Sequence, residues 1–255
     1  MKTIKKNYLS NLNKNQMEAI INPDGPCLVV AGAGSGKTKV LTSRVAYIIK
    51  QKKAWPNQIL CVTFTNKAAR EMQNRIANSL NEKIKSLPWL GTFHSVCAKL
   101  LRRHAEAVGL NSRFTIIDAE DQLRLIKNIC KAENIDIKKL SPKFVLSFIN
   151  QWKNKGLLPE NVIAKKSIPM ERAILSVYKF YQERLKILNS CDFGDLILLC
   201  VTMFEKNKDI LELYLNNFKY ILVDEYQDSN YIQSKWLNLL AQKRNNICCV
   251  GDDDQ

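Results

Sequence analysis

The sequence predicts an α/β fold: a parallel sheet with helices on both faces, plus an inserted all-helical subdomain. Short apolar runs at 27–30, 59–64, 220–223 and 247–250 alternate with helix-like stretches, as expected of strands buried on both faces. Polar residues gather just after each run, at the carboxyl edge where such sheets bind ligands. From about 104 to 190 the alternation stops. Leu, Ile and Phe recur there at helical spacing, broken by Ser141-Pro142, by Gly156 with Pro159, and by Pro169. These shifts divide the chain into 1–110, an insertion at 111–189, and a return to the first domain at 190–255.

The first element is a helix over 8–21, introduced by cap-forming Ser and Asn residues. It carries Gln16, whose amide offers the donor and acceptor that an adenine edge requires; taken alone, it reads as an ordinary surface glutamine. The strand at 27–30 runs into Ala31-Gly32-Ala33-Gly34-Ser35-Gly36-Lys37-Thr38, followed by a helix over 39–50. Three glycines allow a turn tight enough to aim successive N–H groups inward, and the next helix points its positive end at the same place. Such a turn is an anion cradle. Lys37 can reach the terminal phosphates of a nucleotide and the Thr38 hydroxyl can ligate Mg²⁺, so the segment reads as a P-loop. The strict pattern has Gly where this chain has Ala31, a difference that marks a subtype.

The run at 59–64 precedes a helix from Asn66 toward Leu80. Phe64 reads as a core aromatic and His94 as a structural histidine. After the run at 220–223 comes Asp224-Glu225. A strand-end aspartate can hold Mg²⁺, and a glutamate beside it can polarise the water that attacks a γ-phosphate, because a metal-bound carboxylate is a poor base. A helix over 233–241 and the run at 247–250 lead to Gly251-Asp252-Asp253-Asp254-Gln255.

The net charge of +15 and the pI of about 9.4 fit a polyanionic partner. A general bias toward Lys, Asn and Ile would give the same charge. Between 104 and 190, fifteen Lys or Arg face nine Asp or Glu, giving the insertion a basic face. The eight cysteines form no C-x-x-C pair and have no histidine at ligand spacing, so buried reduced thiols are a better reading than a disulfide framework or a metal site. No apolar stretch approaches the roughly 20 residues that span a bilayer, and the basic start at 1–7 lacks a following apolar core. A cytoplasmic location without membrane association is expected.

Seven ordered segments, from Leu12-Asn13-x-x-Gln16 and the P-loop through Thr63–Ala69, Gly91–Ser95, Asp192–Leu196 and Asp224–Asp228 to Gly251–Gln255, resemble the superfamily 1 DNA helicases of the UvrD/Rep/PcrA type. The resemblance implies a RecA-like domain 1A with a helical subdomain 1B inserted, and ATP and Mg²⁺ as cofactors. Gln16 would read adenine, while the P-loop from Ala31 through Ala33 to Thr38 would bind phosphates, with Lys37 on the β and γ groups. Thr38 and Asp224 would serve Mg²⁺, Glu225 would activate water, and Gln255 would sense the γ-phosphate. Phe64, Thr65, Thr92, Phe93 and His94 would face single-stranded DNA, where a ring can stack on a base and polar groups can bind phosphate.

The family's pattern continues beyond Gln255 into a second RecA-like domain. The chain therefore reads as the ATP-binding N-terminal half of a 3′→5′ helicase acting on single strands and on single/double-strand junctions. A second chain carrying the other domain is a candidate partner. Alone, the chain is expected to bind Mg-ATP weakly, to hydrolyse it very slowly and not to unwind DNA. A non-catalytic nucleotide- and DNA-binding remnant is the alternative. Truncated gene product, split-gene half and incomplete sequence all stay open.

Overall fold

A computed structural model describes residues 9–32, 34–80, 87–135, 140–163 and 169–252. In chain order the elements begin α1 (Lys14–Ile21), β1 (Cys27–Val30), α2 (Lys37–Lys50), β2 (Ile59–Thr63), α3 (Asn66–Ser79), β3 (Leu90–Thr92) and α4 (Phe93–Arg103). Next come β4 (Thr115–Ile116), α5 (Ala119–Ala132), α6 (Pro142–Asn154), α7 (Pro169–Ile187), β5 (Ser190–Cys191) and α8 (Phe193–Lys206). The chain then returns through α9 (Lys208–Asn217), β6 (Tyr220–Val223), α10 (Tyr231–Ala241) and β7 (Ile247–Gly251).

Two compact units result, one of Met1–Val96, Asp209–Ser229 and Leu237–Gln255, the other of Cys97–Lys208 and Asn230–Trp236. The first is built on a five-stranded sheet in the order β1-β7-β6-β2-β3, with every described pair parallel. Parallel neighbours require crossovers, and the helices that supply them cover the sheet. On one face Leu41, Val45 and Ile48 of α2 and Met72 and Ile76 of α3 meet Cys61, Leu222, Cys248 and Val250. Each strand contributes alternate residues to that layer, following the pleat. All five residues of β2 are buried, because the strand lies inside the sheet with both faces covered. Trp89 packs edge-on against Tyr214 and Phe218. The strand β3 lies in a segment that the sequence marks only as a motif. It is three residues long and contains Gly91, so its apolar signal is weak.

The second unit is largely helical. Side chains of α5, α6 and α7, among them Ile126, Ile149, Trp152, Val177 and Tyr181, form its core. Local signals set its helix starts: Asp118 caps α5, and Ser141 caps α6 with Pro142 at the first helical position, where the missing N–H has no partner to lose. The short parallel pair β4–β5 adds a ladder to a segment whose sequence suggests helices alone. Two-residue strands lie below what periodicity can show.

Candidate functional site

The carboxyl edge of the five-stranded sheet gathers the polar segments. Beyond β1 the chain crosses toward β7, with Ala31 N–H donating to the Gly251 carbonyl at 3.2 Å. Gly34 and Gly36 have φ of 75° and 90°, a region that side chains with a Cβ rarely enter. Gly36 is the N-cap of α2 and supplies no side-chain cap. The first-turn N–H groups of a 14-residue helix are therefore left to serve an anion.

Gln16 approaches this turn from α1. Its Nε2 donates to the Ser35 carbonyl at 2.9 Å, while its Oε1 accepts from Asn13 N–H at 3.0 Å and its own N–H donates to Asn13 Oδ1 at 2.8 Å. In this geometry Gln16 closes a capping box and tethers the glycine-rich turn. Lys39 adds a second tie through the carbonyls of Ser10 and Asn11. Between α1 and β1 lies an open groove of about 550 Å³ whose lining includes Gln16, Cys27, Ser35 and Lys37.

At the centre of the edge, Lys37 Nζ lies 2.8 Å from Asp252 Oδ2. The hydrogen bond to Asp252 raises the Lys37 pKa above its ordinary value. Next to this pair, Asp224 follows β6 with its side chain buried, and its Oδ1 has no hydrogen-bond partner among the described residues. Burial, and then the neighbouring charge of Glu225, push the Asp224 carboxyl up to about 6. A buried carboxylate oxygen without a donor costs free energy unless something completes it, and a hard cation is one such partner.

Glu225 is held in the left-handed region at φ 52°, a strain that surrounding contacts must maintain. One such contact is Gln227, whose Nε2 donates to Glu225 Oε2 at 2.7 Å and whose Oε1 accepts from Asp252 N–H at 3.1 Å. Gln227 thus links the acid after β6 to the residue after β7.

The family described as UvrD/REP helicase N-terminal domain matches residues 12–255. The chain belongs to this family. It is 48% identical over 251 residues to a probable DNA helicase II homolog of Rickettsia conorii, covering 97% of this chain and 38% of that protein. It is 49% identical over 253 residues to DNA helicase II of Rickettsia typhi, covering 98% and 38%. With the ATP-dependent DNA helicase PcrA of Staphylococcus epidermidis it shares 44% identity over 247 residues, or 97% of this chain and 34% of that protein. The chain thus spans just over a third of the length of these relatives.

In this UvrD/REP helicase domain, the residues expected to face a nucleic acid lie at the ends of β2 and β3. Thr65 is exposed and caps α3, its hydroxyl accepting from Ala68 N–H at 3.1 Å. Phe64 is half-buried, with its ring 5.3 Å from that of Phe93. Phe93 itself is 1% exposed. Its ring is a floor for Phe64, so Phe93 is no stacking surface. Thr92 is also buried, and its hydroxyl accepts from Ser95 N–H at 3.2 Å. His94 is half-buried, and burial lowers its pKa.

The fold therefore brings Gln16, Ala31, Gly32, Gly34, Ser35, Gly36, Lys37, Thr38, Asp224 and Glu225 to one unit of the helicase domain. Gln255 and Ala33 lie outside the described residues. Asp252 and Gln227 are structural members of the site that the sequence reading passed over. Both stand inside motifs noticed in the sequence, but their pairing depends on β6 and β7 being neighbours. Among the described residues, no helix is long and apolar enough to cross a membrane.

Proposed function

We propose that this chain binds Mg-ATP at the carboxyl edge of its sheet and couples it to single-stranded DNA, as the nucleotide-binding part of a 3′→5′ DNA helicase. The observation that carries the reading is the buried Asp224 oxygen, without a hydrogen-bond partner among the described residues, close enough to Lys37 for their charges to interact, at a sheet edge that also bears a helix N-terminus with no side-chain cap. Together these residues fit a metal-bound polyphosphate.

Thr38 and Asp224 would hold Mg²⁺, which neutralises charge on the phosphates when bound. The N–H groups of the turn and of the first turn of α2 would orient the phosphate chain, and Gln16 would recognise the base by exchanging one of its present bonds. Lys37 would leave Asp252 for a phosphate oxygen, an exchange between two charge-assisted contacts of similar strength. Glu225, aimed by Gln227, would accept the proton of the attacking water. Gln255 would report the γ-phosphate to the DNA-binding surface.

On that surface Phe64 would stack on a base, with Thr65 and His94 supplying polar contacts; Phe93 would act beneath Phe64, and the buried Thr92 would hold the start of α4. Residues 1–110 and 190–255 would serve as the RecA-like domain 1A and residues 111–189 as the helical domain 1B. The activity belongs to the DNA-handling machinery of the cytoplasm, and single/double-strand junctions are the expected substrate.

Titration of the 255-residue chain with a fluorescent ATP analogue tests the reading. Binding should require Mg²⁺ and fall at least about tenfold in Lys37→Ala, as befits the loss of a charge-assisted contact. Salt-dependent binding of an oligonucleotide should survive that change. Nucleotide binding indifferent to both Mg²⁺ and Lys37 would sink the proposal.

A further inference from the structure

The register of β1 and β7 sets Cys27 opposite Cys248, so the two thiols belong to neighbouring strands at the same level of the sheet. Neighbouring strands lie about 4.7–4.9 Å apart, within the Cα separation of about 4.4–6.8 Å that a disulfide spans. The two residues differ in access. Cys248 is 1% exposed in the core, whereas Cys27 is half-buried at the edge strand and lines the groove beside α1. Arg44, 1% exposed, lies close enough for its charge to act on both thiols.

A second thiol pair makes the contrast. Cys97 and Cys200 also lie close enough to influence each other's ionisation, but both are fully buried. Proximity is common to the two pairs; access belongs to one.

We propose that Cys27 and Cys248 form a peroxide-responsive dithiol, with Cys27 the attacking thiol and Cys248 the resolving one, closing to an intrachain disulfide across β1 and β7. The oxidant is a hydroperoxide. The Cys27 thiolate attacks one peroxide oxygen, the O–O bond breaks, and the departing oxygen takes a proton and leaves as water or alcohol, giving a sulfenic acid. The Cys248 sulfur then attacks Cys27, an S–S bond forms as the S–O bond breaks, and the Cys248 proton leaves with the hydroxyl as a water. Two thiols are oxidised by two electrons and one peroxide is reduced.

The supporting electrostatics agree in direction. The adjacent Cys248 thiol lowers the Cys27 thiol below its ordinary value, against a smaller opposing effect of burial, the direction that favours the nucleophilic thiolate. Burial, followed by the contact with Cys200, raises Cys97 well above the ordinary thiol value. The disulfide would staple the two strands whose carboxyl ends lead to the glycine-rich turn and to Asp252. It draws only on strand register and thiol access, so it stands apart from the nucleotide reading.

The test is peptide mapping of the folded 255-residue chain after brief exposure to hydrogen peroxide and blocking of remaining thiols with iodoacetamide. A Cys27–Cys248 crosslinked peptide should dominate, revert with a phosphine reductant, persist in Cys97→Ser and vanish in Cys27→Ser and Cys248→Ser. Without peroxide, Cys27 should be alkylated at least about tenfold faster than Cys97 or Cys200. Absence of the crosslink, its appearance only between chains, prior closure of Cys97–Cys200, or accumulation of Cys27 sulfinic acid with Cys248 free would each overturn the proposal. The wild-type map decides even where a serine variant fails to fold.

Discussion

Two buried lysine–aspartate clusters, one in each unit, differ in how completely their polar atoms are satisfied. In the helical unit, Lys153 Nζ lies 2.6 Å from Asp192 and 2.8 Å from Asp195, with all three side chains at most 1% exposed. Tyr181 donates to Asp192 at 2.9 Å and Gln182 to Asp195 at 2.7 Å. The aspartates also close a capping box at the start of α8. Even the approach is tailored, since a Cβ on Gly194 would stand 2.9 Å from Lys153 Cδ. Burial alone would raise Asp192, but the adjacent Lys153 ammonium outweighs it and holds the carboxyl below its ordinary value.

In the sheet unit, among the described residues, Lys37 pairs with the carboxylate of Asp252, while the nearby Asp224 keeps a buried oxygen unpaired. A closed cluster ties helices together; an open one waits for a ligand. Completeness of hydrogen bonding, more than burial or charge, distinguishes scaffold from site.

The largest effect expected from this contrast is at Lys153. Lys153→Met leaves two aspartates buried without a counter-charge, and should cost about 3–5 kcal/mol of stability, seen as a lower urea midpoint by circular dichroism. A loss below about 1 kcal/mol would mean that water or rearrangement completes the cluster, and the contrast would fail.

Removing the charge at Asp224 should act in the opposite direction. Its folded pKa, raised to about 6, exceeds the unfolded value, so the folded state binds the proton more tightly and the ionised carboxylate is a net burden above pH 6. Asp224→Asn should therefore stabilise the ligand-free chain by roughly 1–3 kcal/mol at neutral pH. This gap should close as the pH falls through 6 toward 4, while Mg²⁺-dependent nucleotide binding is lost. Thermal melts across that range would reveal a flat difference if Asp224 were already satisfied.

The smallest expected effect is at Gln16. Gln16→Ala removes the tether to Ser35 and the capping box, a loss of about 0.5–1.5 kcal/mol per hydrogen bond. Competition titrations of ATP against GTP should lose their preference by a similar amount. An unchanged ratio would leave Gln16 with only its structural bonds.

Much of this molecule follows from short-range chemistry. The apolar runs at 27–30 and 220–223 are strands over those residues, Ser141-Pro142 opens a helix, and the glycine-rich turn adopts the left-handed backbone that Gly34 and Gly36 permit. Such features depend on neighbours a few residues away, so pattern and residue type suffice.

What only the tertiary structure decided involves partners distant in sequence. Lys37 and Asp252 are 215 residues apart, and Lys153 and Asp192 are 39 apart. Nothing in either local pattern separates the open cluster from the closed one. The burial of Phe93 beneath Phe64 and the bridge made by Gln227 depend likewise on which strand lies beside which. Strand order is set by the packing of helices on the whole sheet, and the same packing determines which buried carboxylate finds its donors and which is left to a ligand.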